Sequence, residues 1–164
     1  MLPGFARRAG RWIPLVFWSN ALIAQTCLMV SNPIPISGGA ARVDISLYSS
    51  HGSGTAALQW RFQYPSPNAA SITIQDGPSL IAAAKTAMCL ADETGYNCVA
   101  VGANNNAIGS GVVVTVSGLP YPAGRGSGIQ IVGPSAASPE GYFVPIRVSS
   151  DCRLFPKRKV PSAK

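Results

Sequence analysis

The sequence predicts an all-β protein: eight or nine strands, spaced as in a sandwich or jelly roll. Two observations lead there. Residues Ala57 to Pro65 alternate strictly, with Leu58, Trp60, Phe62 and Tyr64 on one side and Gln59, Arg61 and Gln63 on the other. That is the period of a strand with one dry face and one wet face. Four large side chains on the dry face are more than a lone hairpin covers, so a second sheet must press against them. The composition agrees. Gly 17 and Pro 14 supply turns, and charged residues make up only 12%, which suits a turn-rich β protein and not a helical or disordered one.

Taken in order, Cys27-Leu28-Met29-Val30 is a short apolar run, and Ile34-Pro35-Ile36 suits only a sheet edge because proline cannot donate to a ladder. After the turn Ser37-Gly38-Gly39, residues Ala41 to Ser49 alternate, with Val43, Ile45 and Leu47 facing one way and Asp44, Ser46 and Tyr48 the other. Ser50-His51-Gly52-Ser53-Gly54 is a flexible connection into the aromatic strand. Ser71 to Gln75 is a shorter strand, stopped by Asp76-Gly77-Pro78. Ser79 to Thr86 is short and runs into the next strand signal. It reads as an irregular link, although Ile81-Ala82-Ala83-Ala84-Lys85 has the makings of a helical turn.

Thr86–Leu90 and Tyr96–Val101 follow as two strands around a loop. In Val112–Val116, residues Val112, Val114 and Val116 share a face. Ile129–Val132 is a short strand. Tyr142–Val148 is the last, with Val144, Ile146 and Val148 on one face and Pro145 marking it as an edge.

The ends differ from the body. Arg7, Arg8 and Arg11 precede an apolar run from Trp12, and Ala24 offers a cleavage point, so residues 1–24 read as a secretory signal peptide, with an uncleaved anchor as the alternative. No later stretch has the length of a membrane span. Residues 153–164 hold Arg153, Lys157, Arg158, Lys159 and Lys164 and little to bury, which reads as a disordered, solvated basic tail. Contact of that tail with an anionic wall polymer or with headgroups, at up to about 1 kcal/mol per charge, is the alternative. The formal charge of +7 therefore comes from the ends. From Gln25 to Cys152, Arg42, Arg61, Lys85, Arg125 and Arg147 face six acidic residues. A body so nearly neutral lacks the footprint of a nucleic-acid binder.

The cysteines support an oxidising compartment. Cys89 and Cys98 bracket a short loop between two strands, and a bond there would be worth about 2–3 kcal/mol in the chain-entropy model. Cys27 and Cys152 remain near the two ends of the 25–152 domain. If they pair, they staple the first strand to the last; otherwise they are free thiols.

This order of signals resembles a known family. Gly38-Gly39 leads to Val43-x-Ile45-x-Leu47. Gln59-Trp60-x-Phe62-x-Tyr64-Pro65 follows, then Ser71-Ile72-Thr73-Ile74 with Gly77-Pro78, and late in the chain Ile108-Gly109-x-Gly111-Val112-Val113-Val114-Thr115-Val116. Over residues 37–116 the pattern is similar to cohesin-like modules of the carbohydrate-binding-domain-like superfamily, secreted bacterial β-sandwiches. The resemblance implies a nine-stranded jelly-roll topology, with the aromatic strand in the core. It also implies a non-catalytic role, binding a protein such as a dockerin through one sheet face. It carries over no individual binding residue.

The residues themselves suggest no chemistry. His51 is the one histidine, sits in a loop, and has no acid partner fixed by spacing, so a Ser-His-Asp arrangement is not indicated. Asp92 and Glu93 are adjacent, but neighbours in an extended segment point apart, which does not suit paired glycosidase carboxylates; a solvated turn is the expectation. Too few oxygen ligands gather there for calcium, and the C-x₈-C spacing is not that of a zinc site. No cofactor and no metal are implied. Among aromatic residues, Trp60 falls on the core face, while Tyr48 and Tyr121 are the candidate exposed rings for sugar binding. The expected function is thus a binding module, secreted or at the cell surface, that takes a protein partner. A carbohydrate-binding module for polysaccharide comes second and a hydrolase fragment last.

Overall fold

Alternation of apolar and polar side chains becomes strand wherever the sequence shows it. The structure, a computed structural model, describes residues 26–49, 54–64, 72–120 and 128–152. The expected signal peptide, His51, Tyr121 and the basic tail lie outside those residues. The described strands are β1 (Thr26–Val30), β2 (Ile34–Ile36), β3 (Ala40–Ser49), β4 (Ala57–Gln63), β5 (Thr73–Asp76), β6 (Thr86–Asp92), β7 (Gly95–Val101), β8 (Gly111–Pro120), β9 (Gln130–Ala137), β10 (Phe143–Val144) and β11 (Ile146–Val148), with helix α1 (Pro78–Ala82). One sheet has the order β11-β1-β3-β8-β5, with β2 beside β3; the other has the order β10-β9-β4-β7-β6. From β3 onward the chain passes repeatedly between the two, which gives the expected jelly-roll sandwich.

The core forms where the two dry faces meet. Leu58, Trp60 and Phe62 of β4 are at most 1% exposed and join Val43, Ile45 and Leu47 of β3 in one buried cluster. Each such side chain contributes about 1.5–3 kcal/mol by leaving water. Phe62 stacks on Tyr96 of β7, ring centroids 5.0 Å apart. Both disulfides are formed, Cys27–Cys152 and Cys89–Cys98.

The structure departs from the sequence reading in six places, one of them β9, which was expected over Ile129–Val132 and runs on to Ala137. There are eleven described strands, not eight or nine. One addition arises because Pro145 divides the last expected strand: β10 pairs with β9 in one sheet, and β11 pairs in parallel with β1 in the other. A residue without an N–H falls where the chain changes sheets, and both pieces lie at edges.

The Ser79–Thr86 link contains a helix. Pro78 at its first turn presets φ, Gly77 is extended at the N-cap, and the fully buried Leu80 anchors it to the core. The carbonyls of Ala83 and Ala84 accept from the side-chain amides of Asn106 and Asn104, so the turn-rich loop after β7 completes its C-terminal end.

The loop between the cysteines is shorter than expected. β6 and β7 continue past Cys89 and Cys98 to Asp92 and Gly95, and only Glu93-Thr94 turns.

In β8 the buried residues are Val113, Val114 and Val116, while Val112 is half-buried. Ser46 pairs with Val112 and Ile45 with Val114, so Val113 is the extra residue of a bulge. The N–H of Gly77 donates to the Val113 carbonyl at 2.7 Å, and a Cβ at Gly77 would run into the Val112 carbonyl.

Lastly, Val144, Ile146 and Val148 do not share a face: Val144 is buried and Val148 is exposed.

Candidate binding surface

The wet face of the aromatic strand builds the candidate surface. Because Leu58, Trp60 and Phe62 point inward, Ala57, Gln59 and Arg61 point outward, and strand pairing aligns them with neighbours in rows. One row runs Met88, Val99, Gln59, Ser135; the next runs Leu90, Asn97, Arg61, Val132; a third runs Thr86, Val101, then Ala57, Ala137, Phe143. Apolar members of these rows are open to solvent: Leu90 at 77%, Phe143 at 72% and Met88 at 59% exposure, with Val99, Val101 and Val132 less so. Phe143 and Gly141, with Ala57, Gln59, Val99 and Ser135, line a groove of about 320 Å³.

Arg61 and Asp92 are the charged residues of these outward positions, and they neutralise each other. The guanidinium donates to both carboxylate oxygens at 2.8 and 3.1 Å and to the Thr94 hydroxyl. Asp92 also accepts from the Thr94 backbone N–H and from the Asn97 amide. The Arg61 hydrogen bond chiefly, and the Thr94 N–H next, hold the Asp92 carboxyl down at about 2. A depressed carboxyl contributes stability that is present above its unfolded value near 3.8 and is lost as pH falls through about 2. Asp92→Asn is therefore expected to be slightly less stable than wild type at neutral pH. The gap in melting temperature should close on acidification from pH 4 to pH 2; thermal melts across that range check it. The pair is surface-exposed, so the gap is small.

The outer face of the other sheet has a different chemistry. There β3, β5 and β8 present Arg42, Asp44, Tyr48, Thr73, Gln75, Thr115 and Ser117. Tyr48 is only half-exposed, and Asp44 accepts from the Thr115 hydroxyl at 2.8 Å.

Of the residues the sequence singled out, Trp60 is core, and Asp92 orders the β6–β7 turn through Arg61 and Thr94. Glu93 lies at the turn and is exposed. Cys89 and Cys98 clamp the hairpin carrying Met88, Leu90 and Val99. Among the described residues, no three His, Cys, Asp or Glu side chains gather as a metal site would require, and no helix is long and apolar enough to cross a membrane. Sequence reasoning missed the exposed Met88, Leu90, Val132 and Phe143. Its one signal was that apolar residues in these strands occupy both alternating sets.

No protein-family model and no curated protein matches the sequence. Solved structures do match its fold. A non-cellulosomal cohesin from the archaeon Archaeoglobus fulgidus superposes with a TM-score of 0.59 at 12% identity, covering 76% of this chain and 86% of the other. A type I cohesin in complex with a dockerin from Clostridium thermocellum gives 0.57 at 13% identity, covering 76% and 94%. A cohesin module from a family 33 glycoside hydrolase of Clostridium perfringens gives 0.52 at 10% identity, covering 77% and 98%. The chain has the β-sandwich fold of these cohesin modules.

Proposed function

We propose that this protein is an exported, non-catalytic binding module that docks a protein partner on the outer face of its five-stranded sheet. The observation that carries the reading is the contrast between the two outer faces. One presents large apolar side chains in adjacent rows, with the ion pair it carries internally satisfied; the other is mainly polar across β3, β5 and β8, and its exposed apolar residues, Ile34 and Ile36, lie on the short strand β2. An exposed apolar patch whose ion pair is neutralised internally is the chemistry of a protein-interaction surface. Cohesins of the same fold have been solved with dockerins, in Clostridium thermocellum and Acetivibrio cellulolyticus, which supports a dockerin-type module as the partner class for this chain. The two disulfides favour a site of action outside the cell or at its surface.

Substitution tests the face directly. Wild-type protein is expected to recover a specific partner from the secreted fraction, and Phe143→Ala and Val99→Lys should each weaken that binding by about tenfold or more, as anchor residues do. Gln75→Ala, on the polar sheet, should leave it unchanged. Equal loss from Gln75→Ala would move the docking face to the other sheet. The polysaccharide reading keeps one observation, the two neighbouring aromatics Tyr142 and Phe143, both 72% exposed beside the groove. A clear hit on a glycan array, abolished by Phe143→Ala, would favour it.

A further inference from the structure

We propose that β6 is a second interaction surface, through which two copies of this chain pair edge to edge and join their five-stranded sheets into one. β6 is an end strand of its sheet and, at seven residues, the longest edge among the described strands. The other edges are short or broken: β5 has four residues and stops at Gly77-Pro78, and β10 and β11 have two and three around Pro145. Between its ends β6 lacks the usual protection. Thr86 to Ala91 contains no charge and no proline, and its pairing with β7 is regular, without a bulge.

The direction of its backbone groups follows from two observations. Cys89 lies opposite Cys98 with Cα atoms 4.1 Å apart, the close spacing of a non-hydrogen-bonded pair, so the N–H and C=O of Cys89 point away from β7. Two residues earlier, the Ala87 N–H also points away from β7 and donates to the Asp76 carboxylate at 2.7 Å. Asp76 thereby closes one end of the edge. Cys89 and Ala91 remain, with N–H and C=O groups directed away from β7 and without a hydrogen-bond partner among the described residues.

What such an edge takes is another extended strand, and a second β6 fits it. An antiparallel pairing centred on Leu90 sets Cys89 against Ala91 of the second copy, and the symmetric pair repeats the exchange of hydrogen bonds. It leaves each Ala87–Asp76 bond intact. It places Leu90 against its own copy, covering the side chain that is 77% exposed. Met88 comes beside Asp92 of the second copy, whose charge is already directed inward to Arg61 and Asn97. The disulfide stiffens the strand in advance, so pairing orders little new chain. The two docking faces would then lie side by side on one sheet.

Sedimentation of the purified, oxidised protein is expected to show a concentration-dependent dimer. Leu90→Lys, which sets like charges directly opposite each other, should raise its dissociation constant by about tenfold or more. Ala91→Pro, which removes an outward N–H and spares the ladder to β7, should do the same with unfolding temperature little changed. Amide exchange supplies a signature of the register: Cys89 and Ala91 should slow as concentration rises, while Met88 and Leu90, bonded to β7, stay slow throughout. A monomer at about 100 μM, a dimer that survives both substitutions, or exchange at Cys89 and Ala91 independent of concentration would each overturn the proposal. Phe143→Ala should weaken partner capture and leave the dimer untouched, so failure of one proposal is distinguishable from failure of the other.

Discussion

Replacing Cys27 and Cys152 together with alanine is expected to cost about 5 kcal/mol, the chain-entropy value for a bond spanning 125 residues. That is as large as the whole stability of many domains. The structural setting explains why the effect should be near its full value. Cys27 sits in β1, between β3 on one side and the parallel strand β11 on the other. Both cysteines are fully buried. β11 has only three residues, so little besides the bond holds the end of the chain against β1. Replacing Cys89 and Cys98 should cost less, about 2–3 kcal/mol, because that bond closes only a short hairpin already paired along its length. Urea unfolding of the two double variants without reductant checks the order. If the hairpin pair proved the costlier, the termini would be docked by packing alone.

The second large effect is expected at Trp60. Trp60→Ala removes the largest fully buried side chain and should cost about 3–5 kcal/mol, through lost transfer energy and the cavity left between the sheets. Trp60→Phe should cost much less than the alanine change. The indole Nε1 is buried with no hydrogen-bond partner among the described residues. A phenyl ring therefore gives up volume but also relieves an unsatisfied donor, which offsets part of the loss. Chemical denaturation of both variants measures the difference. Equal losses would mean that the indole N–H makes a bond that matters.

The positions that read most clearly in the sequence are those governed by nearest neighbours along the chain. Val43, Ile45 and Leu47, and Leu58, Trp60 and Phe62, alternate in sequence and are buried as the alternation requires. Alternation failed where pairing with a distant strand intervened. The bulge at Val113 exists because β8 must match β3 on one side and receive Gly77 on the other, and no local pattern within Val112–Val116 announces it. Helix α1 was underrated for a similar reason. Its five residues are too few to be stable alone; Leu80 in the core and Asn104 and Asn106 from a loop some twenty residues later hold it. The candidate surface was harder still. Met88, Leu90 and Val99 are ordinary strand residues in sequence, and only their place in a sheet with nothing over that face makes them a patch.

By itself the sequence determined the class of fold, the dry faces of β3 and β4, and the two cysteine pairs in prospect, because side-chain period and chain-length arithmetic are local properties. Tertiary structure alone decided how the strands are shared between sheets, that Pro145 sends one run of residues into both, and which outer face is apolar. Those outcomes depend on which strands meet, and the forces that choose among meetings act between residues far apart in the chain.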